Sequence, residues 1–255
     1  MLTLNQNVIL LLGTCLLSLA FTLTLNRMWP CESRHNQNDL VGWQLSILGT
    51  TYAVILGFML YAVWSEFGDA TLNTDLEASS LRNVYRLAAG LPPGPQKELQ
   101  SEAKAYAAAV INNDWPAMAQ GQLPNASHEI NEHMWVTLMS VKGSSASENT
   151  AEDHAITELS DMTTRRRTRL VQSTTRLPVI FWCVLLVGGL LTLLSVNMFA
   201  SQNPKLHVFQ VFSLTLLITL VMLAIADVNR PFKGWVHVSN YPFVRAQETM
   251  HDLGD

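Results

Sequence analysis

Trp43–Trp64 reads WQLSILGTTYAVILGFMLYAVW and contains no charged side chain. A run of this length is close to the ~20 residues that carry a helix across a hydrocarbon core ~30 Å thick. Val8–Leu25, Leu177–Ala200 and His207–Ala226 share the property. Together the four stretches predict an all-α integral membrane protein with four transmembrane helices.

The rest of the chain reads differently. Only 14% of its 255 residues are charged, against about 25% in a soluble domain. Of these charges, 14 of the 20 acidic and 10 of the 16 basic residues fall between Ser65 and Arg176. Lipid is therefore the expected solvent of the spans and water that of the middle. A net charge of −4 without a broad basic excess argues against nucleic acid as a partner. Of the cysteines, Cys15 and Cys183 fall inside spans, where they would pack as small hydrophobes, and Cys31 lies between spans. No Cys-x-x-Cys or Cys/His spacing points to zinc or a disulfide framework. Val8–Leu25 lacks a basic leading region and a small-x-small cleavage site, so it is expected to be an uncleaved anchor.

Four spans put both termini and the middle segment on one side. That side carries Arg165, Arg166, Arg167, Arg169, Arg176, Arg230 and Lys233 near span ends; the other carries Arg27, Arg34 and Lys205. The positive-inside rule then makes the termini and the middle segment cytoplasmic, in an inner or plasma membrane. The expected organisation is 1–64 for the first two spans, 65–176 for a helical cytoplasmic region, 177–228 for the last two spans, and 229–255 for a tail. Phe232, Trp235, Tyr241 and Phe243 after the break at Pro231 would lay that tail along the membrane or a neighbouring subunit.

The middle is expected to be helical. Leu99, Ala103, Tyr106, Val110 and Ile111 keep a period of about 3.6 residues after Pro92-Pro93-Gly94-Pro95 breaks the chain. Ile130, Met134, Leu138 and Val141 repeat the pattern, and Ala155, Leu159 and Met162 open a helix that runs through the arginines. Little separates Trp64 from Leu87, so the second span is expected to continue as one helix to about Gly90. Apolar stripes of this kind usually make a core, so a small bundle is weighed against a ligand-sensing domain.

No chemistry stands out. Coupled transporters carry ionisable groups inside their spans, and these spans have none. Phosphate-loop, zinc-protease and nucleophile-elbow motifs are missing, so neither an enzyme nor a cofactor is expected. His128 and Glu132 could pair one helical turn apart.

The second span carries two rows. Gly49, Ala53 and Gly57 recur every four residues, a small-residue row that suits close helix packing. Beside it run Thr50, Val54 and Phe58. Arranged around a symmetry axis, that second row would stack into rings, and an apolar ring can gate by dewetting. Ordinary packing or lipid contact would produce the same spacing.

Several pieces resemble the bestrophins and the bestrophin-like membrane proteins, in the same order along the chain. They are Val54-Ile55-Leu56-Gly57-Phe58 with Trp64, Glu77-Ala78 with Leu81, Tyr85-Arg86-Leu87-Ala88 and Leu91-Pro92. Tyr106, Asp114-Trp115, Leu177-Pro178 with Trp182, and Arg230-Pro231-Phe232-Lys233-Gly234 follow. The resemblance implies a homo-oligomer, expected as a pentamer, that conducts small anions, notably chloride. Thr50, Val54 and Phe58 would then be pore-lining neck residues. There are departures. The proline after the first neck residue is Thr51 here. The acidic run of the bestrophin calcium clasp has no counterpart, because Asp227 is followed by Val228-Asn229-Arg230.

The run Arg165, Arg166, Arg167 and Arg169 can be read in two ways. Basic residues near a span bind anionic lipid headgroups. Alternatively, Arg166 and Arg169, which share a helix side, would form an anion vestibule. The rival to a channel is a non-conducting scaffold or sensor that recruits a partner through its cytoplasmic helices.

Overall fold

A computed structural model describes residues 4–29 and 34–253; Cys31 lies outside the described residues. Among them the chain forms nine α-helices and no strand. These are α1 (Leu4–Met28), α2 (Asn38–Leu87), α3 (Pro93–Ala109), α4 (Trp115–Gln120), α5 (Ala126–Met139), α6 (Ala146–Thr174), α7 (Val179–Met198), α8 (Pro204–Val228) and α9 (Tyr241–Asp252). Four of them are long and apolar enough to cross a membrane: α1, α2, α7 and α8. The protein is an all-α membrane protein. The second span does continue past Trp64 as one helix, and a 3₁₀ turn at Ala88–Gly90 ends it.

The chain divides into two compact units. The membrane unit comprises residues 1–64 and 176–229. Its helices associate through small and hydroxyl residues, as expected where water supplies no driving force between apolar faces. Thr14, Ser18 and Thr22 fall every four residues on one face of α1. Ser18 Oγ meets Thr215 Oγ1 of α8 at 2.9 Å, and Thr14 Oγ1 meets Thr219 Oγ1 at 3.3 Å. Thr22 donates to Asn197 Oδ1 of α7 at 2.5 Å.

The close approach to α2 occurs on glycines other than those the sequence points to. A Cβ on Gly188 would stand 2.6 Å from the Tyr52 ring, and one on Gly189 would stand 2.9 Å from the Tyr52 hydroxyl. The phenol lies in this notch and donates to the Leu185 carbonyl at 2.9 Å. A Cβ added at Gly49 or Gly57 would meet nothing within 4 Å. Among the described residues, therefore, no helix comes into close contact at Gly49 or Gly57.

The second unit comprises 65–175 and 230–255. The sequence reading sets 229–255 apart as a tail, but here the segment is part of this unit. Phe232, Val238, Phe243, Ala246 and Met250 are buried in the same core as Leu81, Leu99, Tyr106, Met134 and Leu159. Trp235 and Tyr241 are left exposed. The stripe from Leu99 to Val110 is buried as its period requires. At Val110–Asp114 the helix widens into a π turn. Pro116 explains it: the ring has no N–H for the carbonyl four residues back and would clash with it. Asp114 thereby continues the inward row of Tyr106 and Val110. Ser145 and Glu148 close a capping box at the start of α6. Hydrogen bonds from the Ser144 N–H and hydroxyl, and then from Ser145, hold the Glu148 carboxyl below the usual range.

Candidate functional site

Two features carry chemistry. The first is the face of α2 that the chain's own helices leave open. Tyr52, Leu56 and Val63 point inward and are buried. Thr50, Val54 and Phe58 are exposed, Val54 at 52% and Phe58 at 66%. Val54, Gly57, Phe58 and Tyr61 line one shallow groove. Gly49, Ala53 and Gly57 line a second, closed on its other sides by Thr192 of α7 and Leu214, Leu217 and Val221 of α8. The two rows expected from spacing thus form neighbouring strips of one uncovered surface.

The second feature is a buried charge centre in the other unit. Arg169 of α6 is fully buried. Its Nε donates to Glu77 Oε2 at 2.7 Å and one terminal nitrogen donates to Glu77 Oε1 at 3.0 Å, a two-pronged pair. The same nitrogen reaches Asp114 Oδ2 at 3.4 Å. The Tyr106 hydroxyl donates to Glu77 Oε1 at 2.7 Å. Trp115 and Phe243 stack over the guanidinium, 5.6 and 5.8 Å from their ring centres. Arg166 Nε donates to Ser127 Oγ at 2.9 Å, and Ser127 in turn donates to Asp114 Oδ2 at 2.6 Å.

Burial alone would lower the Arg169 pKa. The Glu77 carboxylate outweighs it and holds the guanidinium above its ordinary value, so Arg169 stays charged. Burial, and then the neighbouring Glu77, push the Tyr106 phenol well above 10. The centre is thus a fixed ion pair with its hydrogen bonds filled, and it offers no free acid, base or nucleophile.

This geometry redirects the arginine reading. Arg166 and Arg169 do share a side, but that side faces the core. Arg169 is paired with Glu77 and Asp114, and Arg166 is buried with its Nε on Ser127, so neither is presented to a vestibule. Arg165 and Arg167 are the exposed members of the run. The pattern of the arginine run does not disclose Glu77 and Asp114 as its partners. Asp114 leaves a trace in the sequence: it is an acid one turn beyond Tyr106 and Val110 on an apolar stripe. His128 and Glu132 do face one another at the surface, 3.9 Å apart.

The sequence model for the Bestrophin-like domain matches residues 12–243. The chain belongs to the bestrophin-like family. Solved structures agree on the fold. A bacterial bestrophin homologue from Klebsiella pneumoniae shares 13% identity over 95% of this chain and 97% of its own, with a TM-score of 0.72. A point variant of that homologue matches at 13% identity over 96% and 98%, with a TM-score of 0.71. A structure described only as a membrane protein variant matches at 14% identity over 95% and 98%, with a TM-score of 0.66. The sequence matches no curated protein. Several pieces that carry the resemblance lie in the two features above: Val54–Phe58, Glu77, Tyr106 and Asp114-Trp115.

Proposed function

We propose that this bestrophin-like protein is an oligomeric ion channel, anion-conducting, with α2 lining the pore. Family membership supports a channel of some kind. The observation that carries the pore assignment is the uncovered strip of Thr50, Val54 and Phe58. Helices α1, α7 and α8 already pack elsewhere, so a second copy is the natural cover for the strip beside it. Copies meeting along Gly49, Ala53 and Gly57 would approach closely, because those positions carry almost no side chain. Thr50, Val54 and Phe58 would then stack around the axis, two apolar rings above or below a hydroxyl ring. The apolar rings gate by dewetting, and the hydroxyls replace part of an ion's hydration shell.

In this reading the subunits form a homo-oligomer, a pentamer by family resemblance, with chloride as the reference permeant ion. The termini and residues 65–176 are cytoplasmic, in an inner or plasma membrane. The exposed Arg165 and Arg167 are the two of the run free to meet anionic headgroups. The test is halide flux into liposomes holding the purified protein. Phe58→Ala should pass halide several-fold faster than wild type, because it removes the bulkiest ring. No flux from either protein across pH and calcium would overturn the channel reading in favour of a non-conducting scaffold.

A further inference from the structure

Arg34 stands just ahead of α2 in the membrane unit and is only 2% exposed. One terminal nitrogen donates to the Asn197 carbonyl at 3.0 Å. The other donates to the side-chain oxygen of Asn26. Its Nε is buried and meets no acceptor. Neither acceptor carries a charge. Among the described residues no acid pairs with Arg34.

A dehydrated guanidinium without a counter-charge is costly, and an unmet donor adds to the cost. Asn197 lies in the last turn of α7, whose carbonyl end carries roughly half a negative charge. That offsets Arg34 only in part. Asn26 is half-buried, so the edge of the site opens to solvent. Its side-chain oxygen is committed to Arg34, which leaves its amide N–H groups outside any hydrogen bond among the described residues. One buried donor on a full positive charge thus lacks an acceptor, and the Asn26 amide borders the same guanidinium.

We infer that Arg34 and the Asn26 amide bind a small monovalent anion of halide size, which supplies the missing counter-charge. The burial of Arg34 favours a single spherical ion over a larger oxyanion. The site does not require conduction, since a protein that passes no ions would still bind here.

Thermal unfolding of the full-length protein in detergent tests the inference, with bromide replacing gluconate at constant ionic strength. Bromide at ten times its Kd should raise the wild-type Tm by about 3–6 °C. Arg34→Gln should lose the response, and Asn26→Ala should weaken it, which covers the case where Arg34→Gln does not fold. Crystals soaked in bromide should show anomalous density within about 3.5 Å of the Arg34 guanidinium. An equal bromide response in wild type and both variants would overturn the site. So would no response in wild type, which would leave Arg34 as a cap on α7. A response that emerges only in Glu32→Gln would also overturn it, by making Glu32 the counter-charge.

Discussion

The two units hold their buried polar groups by opposite means. In the unit of 65–175 and 230–255, charge answers charge. Arg169 meets Glu77 and Asp114, a phenol fills a remaining carboxylate lone pair, and two aromatic rings cover the guanidinium. In the membrane unit, neutral groups answer one another. Hydroxyls face hydroxyls between α1 and α8, an amide takes the Thr22 proton, and among the described residues Arg34 finds only carbonyl oxygens. The first arrangement is strong but intolerant, because each member is costly without the others. The second is built of small, nearly independent contributions.

Removing one side of the ion pair attacks the contrast where it is greatest. Glu77→Gln leaves Arg169 buried with only Asp114 and should cost about 3–5 kcal/mol. Denaturant unfolding should show this, and a double change of Glu77 and Arg169 to methionine should recover much of the loss. If Glu77→Gln costs no more than a surface substitution, the two units are not held differently.

Alkaline titration probes the same centre more gently. The phenol of Tyr106 has its folded pKa raised above the ordinary tyrosine value of about 10. The folded state therefore keeps a proton that the unfolded state sheds. Its contribution to stability is fully present below pH 10 and falls as pH rises above 10 towards the folded pKa. Tyr106→Phe should flatten the loss of stability above pH 10. A Tyr106→Phe profile parallel to wild type would show that burial and Glu77 do not raise the phenol's pKa.

The smallest effect is expected in the membrane unit. Thr22→Val removes the proton given to Asn197 and should cost about 0.6 kcal/mol, and at most about 1.7. Unfolding by detergent titration can measure it. A cost as large as that of Glu77→Gln would mean that the hydroxyl ladder acts as a network.

Much of this was legible in the sequence. Charge-free runs locate the spans because lipid forbids what they omit, and the period of Leu99 to Val110 locates a buried face because a helix repeats locally. The shared side of Arg166 and Arg169 was legible for the same reason. The direction of that side was not, since it depends on Glu77, far away in the chain. For a related cause, the notch that receives Tyr52 is not legible. Gly49, Ala53 and Gly57 have the spacing of a helix contact, but Gly188 and Gly189 receive Tyr52. A notch is defined by the side chain that enters it, which spacing along one helix does not disclose. The place of Phe232 and Phe243 in the second core is not legible either, because the same side chains fit a membrane surface as well as a protein core.

The chargeless interiors of the four spans bear on voltage. An elementary charge carried across the whole membrane potential does about 2.3 kcal/mol of work per 100 mV. Val8–Leu25, Trp43–Trp64, Leu177–Ala200 and His207–Ala226 contain no Asp, Glu, Lys or Arg to carry one. Sliding or tilting these helices moves no side-chain charge through the field, so the electrical energy of the membrane has no lever within them.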